Sequence, residues 1–240
     1  MALLKKFKKI LIDNFVIIKD LKSTRKELRD IKFMLSIMMD HYWETADKAR
    51  PATGAVRQKQ LVLLDMLNDL VSVLNKYNIK YWLDYGTLLG AVRHKGFIPW
   101  DDDLDIGVLH SDRKLILESV KSELSDKYSI YYFVEHDKFL KFEKYYGNNK
   151  VSIDLFPYKS INKIMETKFF PEGVVYNNPF PEDAIFPLKT LTFESTEYSV
   201  PNKFNLYLKK NYGEYMSLPK SSHYWSHEKW DSYHNFYPGE

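Results

Sequence analysis

Asp101, Asp102, Asp103 and Asp105 crowd into five consecutive positions of this 240-residue chain. Phe97, Ile98, Pro99 and Trp100 precede them, and an apolar run over 104–108 contains the last of them. On a strand, alternate residues face the same way. Asp103 and Asp105 therefore share a face, Asp101 joins them if the extended chain begins early, and Leu104 and Ile106 enter the core. Two carboxylates on one strand face repel each other unless a cation lies between them, and hard oxygen ligands of this kind suit Mg²⁺ or Mn²⁺. Such an ion neutralises phosphate oxygens during group transfer. An EF-hand is excluded. A loop opening at Asp101 would need Gly at 106 and Glu at 112, where the chain has Ile106 and Asp112.

The preceding residues complete the chemistry. Gly86 followed by Thr87 permits close backbone approach, and the N–H groups after it can hold a phosphate. Arg93 and Lys95 place positive charge beside that turn, and a guanidinium can grip phosphate with two hydrogen bonds. A solvated acidic turn would need none of these neighbours. Residues 81–107 thus read as a metal-dependent site that transfers a phosphorylated group from a nucleotide donor.

The elements that must position these residues follow from periodicity and turn chemistry. Apolar residues at helical spacing predict a helix over 56–77. A strand over 79–83, a short helix or turn over 87–92 and a strand over 104–108 follow. The next helix, over 112–125, is capped by Ser111 or Asp112. Strands are expected over 128–135, 139–146 and 150–157, the last two joined by Gly147, Asn148 and Asn149 as a hairpin. Beyond 161, Pro, Asn and aromatics dominate until a helix over 202–212 that ends near Gly213. The pattern predicts an α+β (mixed α/β) domain, with a central mixed sheet flanked by helices.

Residues 1–43 differ in kind. Gly and Pro are absent before Pro51. A heptad places Phe7, Asn14, Leu21, Leu28, Leu35 and Tyr42 at a and Ile10, Ile17, Thr24, Ile31 and Met38 at d. Such a seam predicts a long helix that self-associates as a coiled coil through residues 5–43, making the protein a homo-oligomer, with Asn14 fixing register. Packing on the chain's own domain and peripheral contact with a membrane through Lys5, Lys6, Lys8 and Lys9 are the alternatives. Residues 44–55, with Pro51 and Gly54, read as a linker, and 56–240 as the catalytic domain.

Composition excludes several classes. A net charge of +3 argues against a dedicated duplex-DNA binder, so no nucleic-acid partner is expected. Without cysteine there is no disulfide framework, thiolate chemistry or Cys-held zinc, which fits a reducing cytosol. No apolar run approaches the roughly 20 residues of a spanning helix, and lysines interrupt the first apolar stretch where a signal peptide would need an unbroken core. A cytoplasmic protein is expected, peripheral at the inner face of the membrane if the N-terminal lysines engage it.

Residues 86–105 also carry a resemblance. Gly86-Thr87-Leu88-Leu89-Gly90-Ala91-Val92-Arg93, followed by Gly96-Phe97-Ile98-Pro99-Trp100-Asp101-Asp102-Asp103-Leu104-Asp105, is similar to the signature of LicD-type proteins, a family that includes fukutin and fukutin-related protein. Weaker likeness extends over about 57–220, including Ser152-Ile153-Asp154-Leu155-Phe156-Pro157. The resemblance implies a nucleotidyltransferase-like fold that transfers a phospho-alcohol onto a sugar hydroxyl and releases CMP. The donor it implies is commonly CDP-choline, with CDP-ribitol or CDP-glycerol as alternatives. The acceptor it implies is a surface glycan, with surface polysaccharide, lipopolysaccharide and teichoic acid all fitting. By position, Asp103 and Asp105 become metal ligands supported by Asp101. Asp154 becomes a third carboxylate, either a ligand for a second metal or the general base. Gly86, Thr87, Arg93 and Lys95 contact phosphate. A choline group would be met by aromatic faces, for which Tyr131, Tyr145, Phe156, Tyr158 and Trp225 are among many candidates. A non-catalytic assembly module built on the heptads is the remaining alternative.

Overall fold

The computed structural model describes residues 24–25, 51–132, 140–147, 149–169, 176–177 and 179–217. The heptad segment, apart from Thr24 and Arg25, and the aromatic, His-containing stretch from 218 lie outside the described residues. Residues Arg50–Ser217 form one compact unit.

The first helix, α1 (Gly54–Lys76), starts two residues before the expected position and buries Leu63, Met66, Leu67, Leu70 and Leu74 completely. Full burial of each such side chain stabilises the fold by roughly 2 kcal/mol. Asn78 closes the helix in the left-handed conformation at φ 56°, which asparagine tolerates better than most residues. Strand β1 (Tyr81–Leu83) then enters the core, followed by α2 (Tyr85–Arg93) and β2 (Leu104–Leu109). A 3₁₀ turn over His110–Asp112 leads into α3 (Arg113–Leu124), whose N-cap residue Asp112 makes no side-chain capping bond. Strands β3 (Ser129–Tyr132), β4 (Leu140–Tyr146) and β5 (Asn149–Ile161) complete the central sheet.

Its order is β1-β2-β5-β4-β3. Only β2 and β5 run parallel; the other neighbours are antiparallel. The sheet is therefore mixed and the domain α+β, as expected. The far end of β5 continues past that sheet to pair with β6 (Ile164–Glu166), which in turn meets a later strand. Alternation divides the sheet faces. Leu104, Ile106, Val108, Ile153, Leu155, Leu140 and Phe142 are buried, and the residues between them face the other way. Helix α1 packs against β5 and α3, and α3 against β3.

Between 161 and 200 the structure holds more order than the sequence suggests. It contains β7 (Lys168–Phe169), β8 (Tyr176–Asn177), β9 (Phe180–Pro181) and the short α4 (Glu182–Ile185). The hairpin of β10 (Lys189–Phe193) and β11 (Thr196–Val200) follows. Its turn places Glu194 at φ 58°, where a hairpin signal would show Gly or Asn. Tertiary partners of Glu194, described below, hold that conformation. Helix α5 (Phe204–Tyr212) ends at Gly213, with φ 62°, as the sequence predicts. Among the described residues, no helix is long and apolar enough to cross a membrane.

Gly107 shows how tightly the sheet face beside the acidic residues is packed. It pairs with Trp82 across β1 and β2. A Cβ at this position would lie 2.2 Å from the fully buried indole. The ring is wedged against Tyr158 and Phe186, at centroid separations of 5.1 and 5.8 Å. Overpacking of this kind costs about 1–3 kcal/mol or more. Gly107→Ala should lower the unfolding free energy in urea by at least about 2 kcal/mol; unchanged stability would show that the indole can move aside.

Candidate active site

The start of α2 is anchored from two directions. Asp84 caps it, accepting the Tyr85 N–H at 3.0 Å. The same carboxylate accepts the Tyr158 hydroxyl from β5 at 2.9 Å and the Tyr207 hydroxyl from α5. The two hydroxyls lie 3.0 Å apart, and all three side chains are buried. Above this base, α2 meets the acidic strand. The Asp84 N–H donates to the Asp105 carbonyl at 3.0 Å, and the Asp105 N–H donates to the Thr87 hydroxyl at 2.7 Å. Thr87 is thereby buried as a pin between α2 and β2. The Gly86 N–H donates to Asp105 Oδ2 at 3.3 Å. A Cβ on Gly86 would come within 3.1 Å of Asp101 Oδ2 and 3.6 Å of Asp105 Oδ2. Glycine at this position lets the backbone itself form the floor between two carboxylates, where a side chain would crowd Asp101.

Helix α1 positions the loop that carries the acids. The buried Gln60 donates its amide N–H groups to the carbonyls of Ile98 and Asp101, at 3.1 and 2.9 Å. Arg57 grips Glu194 through two bonds of 2.8 Å. Glu194 also accepts the Phe97 N–H at 3.4 Å, and its own N–H donates to the Lys95 carbonyl at 2.8 Å. Gly96 leaves room for that carboxylate, which a Cβ would approach to 2.7 Å. Asp102, exposed, pairs with Lys59 at 2.9 Å. The hairpin turn, α1 and the 96–102 loop thus lock together.

Strand register brings the distant carboxylate in. Asp105 lies opposite Asp154 across the parallel β2 and β5. Asp154 lies opposite Lys141 on β4, and Lys141 opposite Tyr131 on β3. Directly opposed residues share a sheet face, so Asp105, Asp154, Lys141 and Tyr131 form a row across four strands. Lys141 Nζ lies 3.2 Å from Asp154 Oδ1.

Charge in this group is mutually repulsive. Burial first, then neighbouring carboxylates, push Asp101 and Asp105 well above the usual carboxylate range. Asp103 keeps the most solvent contact of the three. It is raised by partial burial and then by Asp102, against the lowering pull of its hydrogen bond with Asp101 and of Lys141. Burial raises Asp154 to about 6, against the opposing pull of Lys141. Among the described residues, no three His, Asp or Glu side chains close into a metal cage as they stand.

Arg93 lies at the other flank. Its Nη1 donates to the carbonyls of Tyr215 and Ser217, at 3.0 and 3.4 Å, and its Nε to His94 Nε2 at 2.9 Å. Burial, then the adjacent guanidinium, lowers His94 to about 4, consistent with a neutral acceptor ring. Nη2 of Arg93 is buried without a hydrogen-bond partner, and burial lowers the guanidinium to about 10, against the opposing pull of Tyr212 and Asp101. Lys95 stands exposed on the turn at φ 63°. The structure therefore gathers Gly86, Asp101, Asp103, Asp105 and Asp154, with Arg93 beside them. It buries Thr87 beneath them and leaves Lys95 on the surface.

Several residues of the site escape a linear reading. Asp84 carries a local signal, an aspartate just ahead of a helix, but its tyrosine partners lie 74 and 123 positions away. Gln60 was visible only as a polar residue on an apolar helix face. Lys141 had no signal without the register, and Tyr212 of α5, whose hydroxyl is pushed well up by burial and by Asp105, had none. Of the aromatic candidates for a choline site, Tyr158 is committed to Asp84, and Phe156 packs edge-on against Tyr85 at 4.9 Å. Tyr131 remains on the site face.

A mixed sheet with facing carboxylates beside a glycine-led helix is the arrangement of a nucleotidyltransferase-like domain. Residues 78–203 match the family described as LicD/FKTN/FKRP, nucleotidyltransferase domain, and the chain belongs to it. It is 32% identical over 169 residues to an uncharacterized protein of Rickettsia prowazekii, covering 69% of this chain and 60% of that one. Human ribitol 5-phosphate transferase FKRP is 30% identical over 148 residues, 60% of this chain and 30% of that one. Lipopolysaccharide cholinephosphotransferase LicD of Haemophilus influenzae is 51% identical over 57 residues, 24% of this chain and 21% of that one. The matches thus span between 21% and 60% of these relatives' lengths. Among solved structures, ANT(2")-Ia in complex with adenylyl-2"-tobramycin is similar at a TM-score of 0.40 and 9% identity, over 72% of this chain and 86% of that one.

Asp84 generates a test of the site's foundation. Burial raises its carboxyl from 3.8 to about 6, against three hydrogen bonds that lower it. The folded chain therefore holds this proton more tightly than the unfolded chain, and ionisation costs stability as pH rises through that window. Asp84→Asn keeps the cap and an acceptor for the hydroxyls but carries no charge. Relative to wild type, its unfolding free energy should rise by about 3 kcal/mol between about pH 4 and pH 6. A difference independent of pH in urea titrations would show that Asp84 titrates as an exposed carboxylate.

Proposed function

We propose that this protein transfers a phospho-alcohol from a CDP-linked donor, most plainly phosphocholine from CDP-choline, to a sugar hydroxyl of a cell-surface glycan. The observation that carries this reading is the register of Asp105 with Asp154 beside the Gly86 floor, in a chain of the LicD/FKTN/FKRP family. The donor set fits a hard divalent ion: it consists of carboxylates only, and their mutual repulsion is what such an ion relieves. Asp103 and Asp105, with Asp101 supporting them, would hold Mg²⁺ or Mn²⁺, which would neutralise donor phosphate oxygens as charge develops there.

The chain's own groups supply the rest. Asp154, at about 6, is ionised at neutral pH yet basic enough to take the proton of the acceptor hydroxyl. That oxygen attacks the phosphorus bearing the alcohol. The bond from this phosphorus to the bridging oxygen breaks, and CMP leaves with the electron pair. Gly86 lets the donor approach backbone. Arg93, whose buried Nη2 has no hydrogen-bond partner, would contribute its positive charge to the donor's phosphates from the Asp101 side. Lys95, exposed on the turn, would act as a peripheral contact for the donor's phosphates.

A second donor reading, ribitol phosphate from CDP-ribitol, is favoured by the longer match to FKRP, 148 residues against 57 for LicD. CDP-glycerol belongs to the same test. In this reading residues 56–240 are the catalytic domain and the heptads of 1–43 make it a homo-oligomer, peripheral to a membrane where its acceptor is lipid-linked.

Incubation with Mg²⁺, an acceptor glycan and each of CDP-choline, CDP-ribitol and CDP-glycerol should release CMP from one donor. Asp105→Asn should lower that rate at least about 100-fold, since such an ion contributes several kcal/mol to the transition state, with circular dichroism unchanged. CMP release at the wild-type rate from a folded variant would remove Asp105 from the mechanism.

A further inference from the structure

The carboxylates that face the opening carry more negative charge than one ion neutralises, and the protein supplies part of the balance itself. Asp101, Asp103, Asp105 and Asp154 contribute four negative charges when ionised. Arg93 stands at the Asp101 flank and Lys141 at the Asp154 flank. Asp102 is already paired with Lys59, and Asp84 lies beneath α2 with its oxygens taken by Tyr158, Tyr207 and the Tyr85 N–H. Among the described residues, Asp154 is the one of these four in an ion pair with a protein cation, Lys141 at 3.2 Å, which leaves Asp101, Asp103 and Asp105 for a divalent ion.

The position of Lys141 says which end is already neutralised. Its register partner is Asp154, and its Nζ lies 3.2 Å from Oδ1. The pair is largely buried, with side-chain exposures of 19% and 17%, unlike a solvated surface pair. Leu140 and Phe142 on either side are buried on the opposite face, so the strand delivers the Lys141 stem to the row. The ammonium also acts on Asp103, which places its field between the two strands that carry the acids. In two-metal transferases the ions sit about 3.5–4 Å apart, so an ion beside one at Asp103 and Asp105 would have to share the Asp154 carboxylate that Lys141 already meets.

We propose that the Lys141 ammonium takes the place of a second divalent ion beside Asp154, so that the site binds one divalent ion, at Asp103 and Asp105. This rests on the metal-dependent reading given above and narrows it. Asp154 is thereby left to the acceptor hydroxyl, and Lys141 acts as a positioning residue: it holds the Asp154 carboxylate through charge and touches no reacting atom.

The test counts ions directly. Full-length protein is titrated with Mn²⁺ alone, and bound metal is read from loss of the free-ion electron paramagnetic resonance signal. Wild type should bind one Mn²⁺ at the site, and Lys141→Met, which keeps the stem without the charge, should bind two. Lys141→Arg, which keeps the charge, should bind one. Melting provides the second readout. In EDTA, Lys141→Met should melt below wild type, and Mn²⁺ should raise its Tm by more than it raises that of wild type. Two ions in wild type, or one in Lys141→Met with an equal Mn²⁺-induced shift in Tm, would overturn the inference about Lys141 alone. No bound Mn²⁺ in any of the three proteins would overturn the metal-dependent reading together with it.

Discussion

Carboxylates brought together on one sheet face repel one another, and most of this domain's polar architecture opposes that repulsion. Asp105 and Asp154 are adjacent because β2 and β5 pair in parallel register. Asp101 and Asp103 reach them through a loop that would spread if left to electrostatics. The loop is held instead by hydrogen bonds to its backbone, from Gln60 to the carbonyls of Ile98 and Asp101. Bonds of this kind do not depend on the charge of the acids. They keep the acids placed whether or not a cation is among them.

Two supports carry that load, and they come from opposite ends of the chain. Helix α1 reaches the loop directly through Gln60 and indirectly through Arg57, whose partner Glu194 belongs to the turn of the β10–β11 hairpin. The left-handed conformation of Glu194 would be costly for an isolated turn. It persists because the side chain meets a guanidinium and a backbone N–H while its own N–H is taken by Lys95. Helix α5 gives the second support. Tyr207 and, from β5, Tyr158 fasten Asp84, and Asp84 fixes the first turn of α2 where Gly86 meets the carboxylates. A buried charge is expensive unless hydrogen-bonded, so this network is kept complete by the same packing that it orients.

Much of the fold was legible along the chain because its signals are local. Helical spacing marked α1, alternation marked β2, Gly147 with its neighbours marked the hairpin between β4 and β5, and Gly213 marked the end of α5. The region from 161 to 200 was not, because its strands are short and its decisive turn uses Glu194, whose conformation is set by partners more than a hundred positions away. Thr87 illustrates a different limit. Its place after Gly86 suggested phosphate contact, but in the structure its hydroxyl accepts the Asp105 N–H. A hydroxyl serves either purpose, and only the neighbouring strand shows which backbone group it meets.

By itself the sequence determined the chemistry on offer: the acidic run at 101–105, the glycine that lets backbone approach it, the basic residues nearby and the family to which these belong. Residue type and short spacing decide those properties, and both are local. The tertiary structure decided which of these groups work together. Strand register aligned Asp105, Asp154, Lys141 and Tyr131, packing set Arg93 against the Tyr215 and Ser217 carbonyls, and Gln60 set the height of the acidic loop. Such pairings depend on which strands adopt which register and on which helix face is covered, and no spacing along the chain encodes a distance between residues that are fifty or a hundred positions apart.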